Sequence, residues 1–518
     1  MLLRILLTFV LAGAVCCAAT GTEPIDIGSR LELMVDDYLI ERISGGAELR
    51  LHRPVQREVV FTCDRPWEGD CSGLAVYIQD GDTYRMYYCA TRWPLQRTNF
   101  CYAESKDGIQ WTRPELGLVE FDGSKKNNII LPGEGGNLFV PFKDANPNSK
   151  PEEQYKALGH LGEPAHGLYP YVSADGIHWR RTRDEPVITE GKFDTQNVAF
   201  WDTFRGRYVA FVREMRGPSN EIRGTNDEIG AKQTDPSHDP ILREGTQLGI
   251  DDKGPARDVM TCTSPDFLNW TEPQWLQYPG APREQIYYNQ IRPYYRAGHI
   301  FVGFPGRYMA GREIEKDLPI TSHPSYKYGS ITETLFMTSR DGVHFNRWGE
   351  AFIRPGPRKE RWMYDATLPF YGLLVTKADT AGAPDELSLY VHDGGSWPQR
   401  GKATRFRRYT LRIDGFVSVN APLGGGEFVT KPIVFEGKAL VMNFSTSAAG
   451  SVRVEIQDTA GKPIEGFALA DCPEIFGDRI EQVIAWKGGS DVSQLAGKPI
   501  RLRFVMKDAD LYSIRFWQ

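Results

Sequence analysis

The chain has 518 residues, too many for one ordinary domain and enough for two or three. Its formal charge of −6 is spread without a basic block, which argues against nucleic acid and favours a neutral or weakly polar ligand over a polyanion. With 52 Gly and 34 Pro beside 12 Trp, 23 Tyr and 26 Phe, the composition suits short strands joined by many turns.

At the N-terminus, Arg4 precedes an apolar run that ends in small residues near Ala18 and Ala19. Residues 1–19 therefore read as a secretory signal peptide, too short to span a membrane, and the mature protein is expected to be secreted, extracellular or periplasmic. Beyond Cys16 and Cys17, six cysteines remain: Cys63, Cys71, Cys89, Cys101, Cys262 and Cys472. In an oxidising compartment Cys63/Cys71 and Cys89/Cys101 are candidate bridges, with buried thiols as the alternative. Their spacing matches no zinc site, and no cofactor motif is legible, so neither a metal nor a cofactor is expected.

The mature chain opens with a strand-like run, Leu31 to Ile40. The main signal follows it: a repeated corner of the form S-x-D-[GF]-[ILV]-x-[WF]. It occurs at Ser105–Trp111, Ser173–Trp179, Ser264–Trp270 and Ser339–Phe345, with a degenerate fifth copy at His392–Trp397. Ser and Asp side chains bind turn backbone, Gly permits positive φ, and the aliphatic and aromatic residues start the next strand. Asp107, Asp175, Asp266 and Asp341 are thus expected to be structural.

Two strand-like runs precede each corner. The first has Leu74–Ile78 and Thr83–Cys89, joined by a hairpin signal at Gln79–Asp82. The second has Leu138–Val140 and Gln154–Leu158. The third has Val198–Trp201 and Arg207–Arg213. The fourth has Gln290–Tyr295 and His299–Phe304. Leu368–Tyr371, Leu387–Val391 and Arg407–Arg412 form a fifth set. Repeated four-stranded units of this kind are propeller blades, and Leu31–Ile40 could supply the strand that closes the ring. Within the third unit, Gly217 to Ala256 is a long polar insertion, either a lid or a surface loop. From Asp414 the pattern changes to alternating strands with Gly-rich turns, fitting a sandwich of roughly 100 residues. The expected architecture is all-β: a five-bladed β-propeller over residues 20–413, then a β-sandwich over 414–518.

In a propeller the inner strands start around one funnel, so the carboxylates just before them are the candidates. They lie in Trp67–Asp70, Phe193–Asn197, Glu284–Asn289 and Trp362–Asp365. Asp36 and Asp37 stand in an apolar run, where an acid is costly unless paired.

The corners, four-stranded units and trailing sandwich resemble the five-bladed propeller glycoside hydrolases of families 32 and 43. Arg257-Asp258 is similar to the Arg-Asp-Pro motif of family 32, with Val259 in place of the proline. The resemblance implies a carbohydrate substrate and glycoside cleavage by two or three funnel carboxylates, a proton donor and a nucleophile or base. On that basis Asp194 and Glu68 are expected as the pair, with Asp258 or Asp37 as the third. Arg213, Arg257, Asn197, Asn289 and Arg307 would hold hydroxyls or a carboxylate, and Trp67, Trp93 or Tyr288 would stack on a sugar. Two alternatives stay open. One is a sialidase-like hydrolase using Arg213, Arg257 and Arg307 with Tyr288 or Tyr364. The other is a non-catalytic carbohydrate-binding propeller.

Overall fold

A computed structural model describes residues 23–69, 72–92, 97–132, 138–160, 167–217, 256–310, 330–394 and 403–518. The signal-peptide reading, Cys71, Trp93, nearly all of the Gly217–Ala256 insertion and the end of the fifth corner lie outside them. The protein is all-β, and its short 3-10 turns are its only helical elements among the described residues.

Five antiparallel sheets follow one another along the chain. Sheet 1 is built on Gly73–Asp80, Thr83–Arg92 and Arg97–Ser105, with Trp111–Thr112 and Ile129–Leu131 both pairing with the last of these. Sheet 2 runs Leu138–Lys143, Tyr155–His160, Tyr169–Ser173 and Arg180–Arg181. Sheet 3 runs Val198–Asp202, Arg207–Arg216, Ala256–Ser264 and Gln274–Trp275. Sheet 4 runs Arg292–Tyr294, Ala297–Gly303, Met337–Ser339 and Phe345–Arg347. Past Pro305 the chain enters a smaller sheet of Gln285–Ile286, Gly306–Ala310 and Ser330–Thr334. Sheet 5 runs Leu374–Thr376, Glu386–His392 and Arg405–Arg412, and its last strand is Val55–Thr62, from before sheet 1.

That strand corrects one expectation. Leu31–Ile40 does not join any of these five sheets. Only Glu32–Leu33 and the Ile40 end of this run are strand, and they pair with Arg501–Trp517 and Gly426–Thr430 of the C-terminal sheet. Glu48–Leu51 joins the same sheet through Val417–Ala421. The C-terminal sheet is therefore woven from both ends of the chain. Its core draws Ile27, Met34 and Leu39 together with Phe428, Phe444, Phe504 and Phe516.

Aromatic contacts link neighbouring sheets. Phe142 meets Phe267 between sheets 2 and 3, Phe200 meets Phe301 between sheets 3 and 4, and Tyr77 stacks on Tyr390 between sheets 1 and 5. Each buried ring of this size contributes about 1.5–3 kcal/mol.

The corners form as their residues dictate. In the first, the Asp107 carboxylate accepts the backbone N–H groups of Ile109 and Gln110, both at 2.7 Å, and Ser105 Oγ accepts that of Gly108. Trp111 Nε1 then donates to Gly108 O. The pattern recurs at Asp175, Asp266 and Asp341. The third corner carries Phe267 where the others have glycine, and Phe267 takes the same left-handed φ of 71°. Burial pushes these carboxyls up, but the backbone donors outweigh it, leaving Asp266 and Asp341 at about 2.

Of the candidate bridges, Cys63/Cys71 falls on Cys71, outside the described residues, and Cys89/Cys101 is not formed. Cys63 and Cys101 are buried free thiols. Cys89 stands opposite Phe100 and Cys101 opposite Tyr88, so the two cysteines project from opposite faces of sheet 1.

Candidate functional site

The segments that begin the inner strands meet at one place. Gln196 Nε2 donates to the carbonyls of Leu74 and Ala75, and Gln290 Nε2 donates to Gln196 Oε1 at 2.7 Å and to Pro369 O at 2.8 Å. Four strand entries, from sheets 1, 3, 4 and 5, are tied by two amides.

Backbone strain concentrates here. Leu74 (φ 50°), Gln290 (φ 45°), Asp365 (φ 66°) and Thr367 (φ 64°) all occupy the left-handed region. Such residues cost about 1–3 kcal/mol each, persist only where the surroundings dictate them, and cluster at functional sites.

Asp365 is the acid at this junction. Its side chain is 18% exposed, and burial raises its carboxyl above the ordinary range, opposed only by His392, whose Nε2 lies 3.9 Å away. His392 is itself fixed, with Nε2 3.0 Å from Ser72 O. A Cβ at position 73 would approach the same nitrogen to 2.9 Å, so Gly73 is required for this packing. Tyr288 is buried against Asp365, and burial followed by the Asp365 charge pushes its hydroxyl up.

Beside this acid lies an arginine and tyrosine cluster from sheet 3 and the extension of sheet 4. In the register of sheet 3, Arg213 stands opposite Val259 and Met215 opposite Arg257, so Arg213 and Arg257 share one face. Arg213 lies 5.0 Å from the Tyr287 ring, and Arg257 lies 5.4 Å from Tyr287 and 4.3 Å from Tyr308. Tyr287 and Tyr364 share a hydroxyl hydrogen bond of 2.6 Å. Arg213 is 3% exposed and pairs with Asp194, whereas Arg257 donates to Gln285 Oε1 at 2.7 Å. Burial lowers the Arg213 pKa.

The residues read from the sequence fall into two groups. Asp194, Arg213, Arg257 and Tyr288 meet in this cluster. Asn197 and Asn289 stand behind it as buried brackets: Asn197 Oδ1 accepts the Arg213 backbone N–H, and Asn289 Oδ1 accepts that of Ile291.

The second group is engaged elsewhere. Glu68 is fully buried and bound by Arg113, the Tyr88 hydroxyl and the Arg65 backbone N–H, so both its oxygens are occupied. Trp67 Nε1 donates to Asn128 Oδ1 beside it. Asp258 faces the opposite side of sheet 3 from Arg257 and is held by Arg216, Tyr278 and its own neighbour's backbone N–H. Arg307 is neutralised by Glu284 and Glu333. Asp37 is exposed in the N-terminal segment that joins the C-terminal sheet, and its carbonyl accepts from Lys431.

Sequence reasoning did not single out Tyr287, Tyr308 or His392. The Tyr287-Tyr288 doublet just before an inner strand was the available signal for the first. The others come into place through the extension of sheet 4 and the end of Glu386–His392. No group of three or more His, Cys, Asp or Glu side chains suited to a metal occurs among the described residues. Nor is any helix there long and apolar enough to cross a membrane.

No family model matches this chain, and no curated protein matches it. Solved structures do. An N-acetylgalactosamine deacetylase from F. plautii in complex with blood group B trisaccharide is 15% identical, covering 71% of this chain and 96% of its own, with a TM-score of 0.40. A glycosyl hydrolase from Bacteroides ovatus is 13% identical over 73% of this chain and 96% of its own, at 0.39. A fructofuranosidase from Schwanniomyces occidentalis complexed with fructosylnystose is 11% identical over 92% and 98%, at 0.34. These are remote likenesses, and a functional reading has to stand on the site itself.

Proposed function

We propose that the chain is a secreted glycoside hydrolase: a five-bladed β-propeller with a β-sandwich behind it, acting on an oligo- or polysaccharide. Its reaction centre is the junction around Asp365. The observation that carries this reading is the coincidence of four strained, non-glycine residues with a desolvated carboxyl where the strand entries meet.

In this reading Asp365 is the proton donor. A carboxyl whose pKa burial raises keeps its proton to higher pH and is a better donor to a leaving glycosidic oxygen than an ordinary exposed aspartate. Asp194, 57% exposed and oriented by Arg213, is the second carboxylate, acting as nucleophile or as base toward water. Asp365 thus takes the place that Glu68 holds in the sequence reading. Glu68 supports the loop before sheet 1.

The test is turnover of aryl glycosides and polysaccharides by the full chain and by Asp365→Asn and Asp194→Asn. Loss of turnover in both variants, with each still folding cooperatively, supports the assignment. Turnover that survives Asp365→Asn overturns it.

A further inference from the structure

We propose that Arg257, backed by Arg213, forms a subsite for an anionic substituent of the substrate, so that the glycan carries a carboxylate or a sulfate on the sugar beside Asp365. This deepens the hydrolase reading and rests on it for the word substrate, but not for the binding event.

The argument is one of charge and fixation. Register places both guanidiniums on one face of sheet 3, with the Tyr287 ring within 5.4 Å of each. Among the described residues one carboxylate, Asp194, pairs with either of the two, and it is bound to Arg213. Arg257 meets no carboxylate among the described residues. Its partners are the Gln285 amide oxygen and the faces of Tyr287 and Tyr308. A guanidinium is costly to order and to bring beside a second one. Two rings and an amide hold this one half-buried without neutralising it.

Arg307 shows the alternative in the same sheet extension. It is equally well fixed, and two glutamates neutralise it. Arg307 and Arg347 are charge-balanced by Glu284 and Glu333, and Arg257 meets no such partner among the described residues. Planar, fixed guanidinium donors suit a carboxylate or a sulfate, either of which would relieve the repulsion between the two cations. The overall charge of −6 points away from polyanions, yet the local balance at this face has the opposite sign.

Binding of single sugars to the full chain, measured calorimetrically at low and moderate salt, tests this. The probes are glucuronate and galacturonate with their neutral counterparts glucose and galactose, and galactose 6-sulfate. Expected is a preference of about tenfold to a hundredfold for a charged sugar over its neutral twin, weakening with salt. The sulfate arm separates the two sources of negative charge. Arg257→Gln should abolish the preference, and Arg257→Lys should restore part of it.

Equal binding of charged and neutral sugars by the unmodified chain overturns the inference, as does an Arg257→Gln variant that keeps the preference. The two readings fail separately. Hydrolysis lost in Asp365→Asn without any charge preference removes the subsite alone. Charge preference without turnover on any substrate removes the hydrolase reading alone.

Discussion

Two kinds of aspartate define this molecule, and their surroundings drive them in opposite directions. At the corners, Asp266 and Asp341 are saturated with backbone N–H donors and sit at about 2. At the junction, Asp365 has burial against it and only a distant histidine for it, and its pKa rises. The corner acids repay their desolvation locally. The junction acid does not, and the surrounding fold must bear the cost. A carboxylate that the fold satisfies is scaffold, and one that it leaves unsatisfied is a candidate for chemistry.

The largest effect that bears on this contrast should come from Asp365→Asn. Removing a proton donor is expected to lower kcat by roughly 10²–10⁴-fold, while the unfolding midpoint holds or rises because a strained, desolvated acid is gone. A variant that is both inactive and strongly destabilised would make Asp365 another scaffold residue.

Glu68→Gln should do the reverse. It leaves the Arg113 guanidinium facing a neutral partner in a buried site, at a cost of about 3 kcal/mol in denaturant-induced unfolding. Activity per folded molecule should be retained. Should activity vanish at full stability, Glu68 belongs to the chemistry after all.

Asp341→Ala removes the acceptor for two backbone donors at one corner, and about 1 kcal/mol of stability should go with it. The same change at all three of Asp175, Asp266 and Asp341 should be nearly additive, since the corners lie on separate sheets.

The smallest effect is in pH dependence, and its sign differs between the two classes. Asp266 and Asp341 are depressed from 3.8 to about 2, so their contribution is full above about pH 4 and fades as the pH falls through about 2. Asp365 is raised above 3.8, so the native state prefers its proton and loses stability as the pH rises past that value. Thermal midpoints of the unmodified chain and Asp365→Asn, followed from pH 3 to 8, should diverge in favour of the variant as the pH increases. Parallel curves would remove the contrast.

Much of the scaffold was legible because its signals are local. Ser105, Asp107, Gly108 and Trp111 bond to one another within seven residues, so the sequence motif is the turn itself. Gln79–Asp82 gave the hairpin for the same reason: Asp80 pairs directly with Thr83.

The closing strand was not legible. Val55–Thr62 pairs with Arg405–Arg412 across some 350 residues, and Leu31–Ile40 has the more apolar pattern of the two. The site was legible in part. Asp194, Arg213 and Tyr288 follow from their places before or at the end of inner strands. Glu68 occupies an equivalent place, and only Arg113 and Tyr88 reveal that it is enclosed. Arg257 could be named, but that it meets no carboxylate among the described residues while Arg307 meets two becomes visible only once three sheets are assembled.

The weaving of both chain ends into one sheet has a consequence for synthesis. Ribosomes deliver Glu32–Leu33, Ile40–Ser44 and Glu48–Leu51 early, yet their partner strands lie in the last hundred residues, Val417–Ala421 through Arg501–Trp517. Until those partners emerge, these early strands are unpaired edges on a nascent polypeptide, and the first and fifth sheets have no lock between them. Such a sheet should form long after its first strands are made, leaving it dependent on whatever shields open edges in the interval.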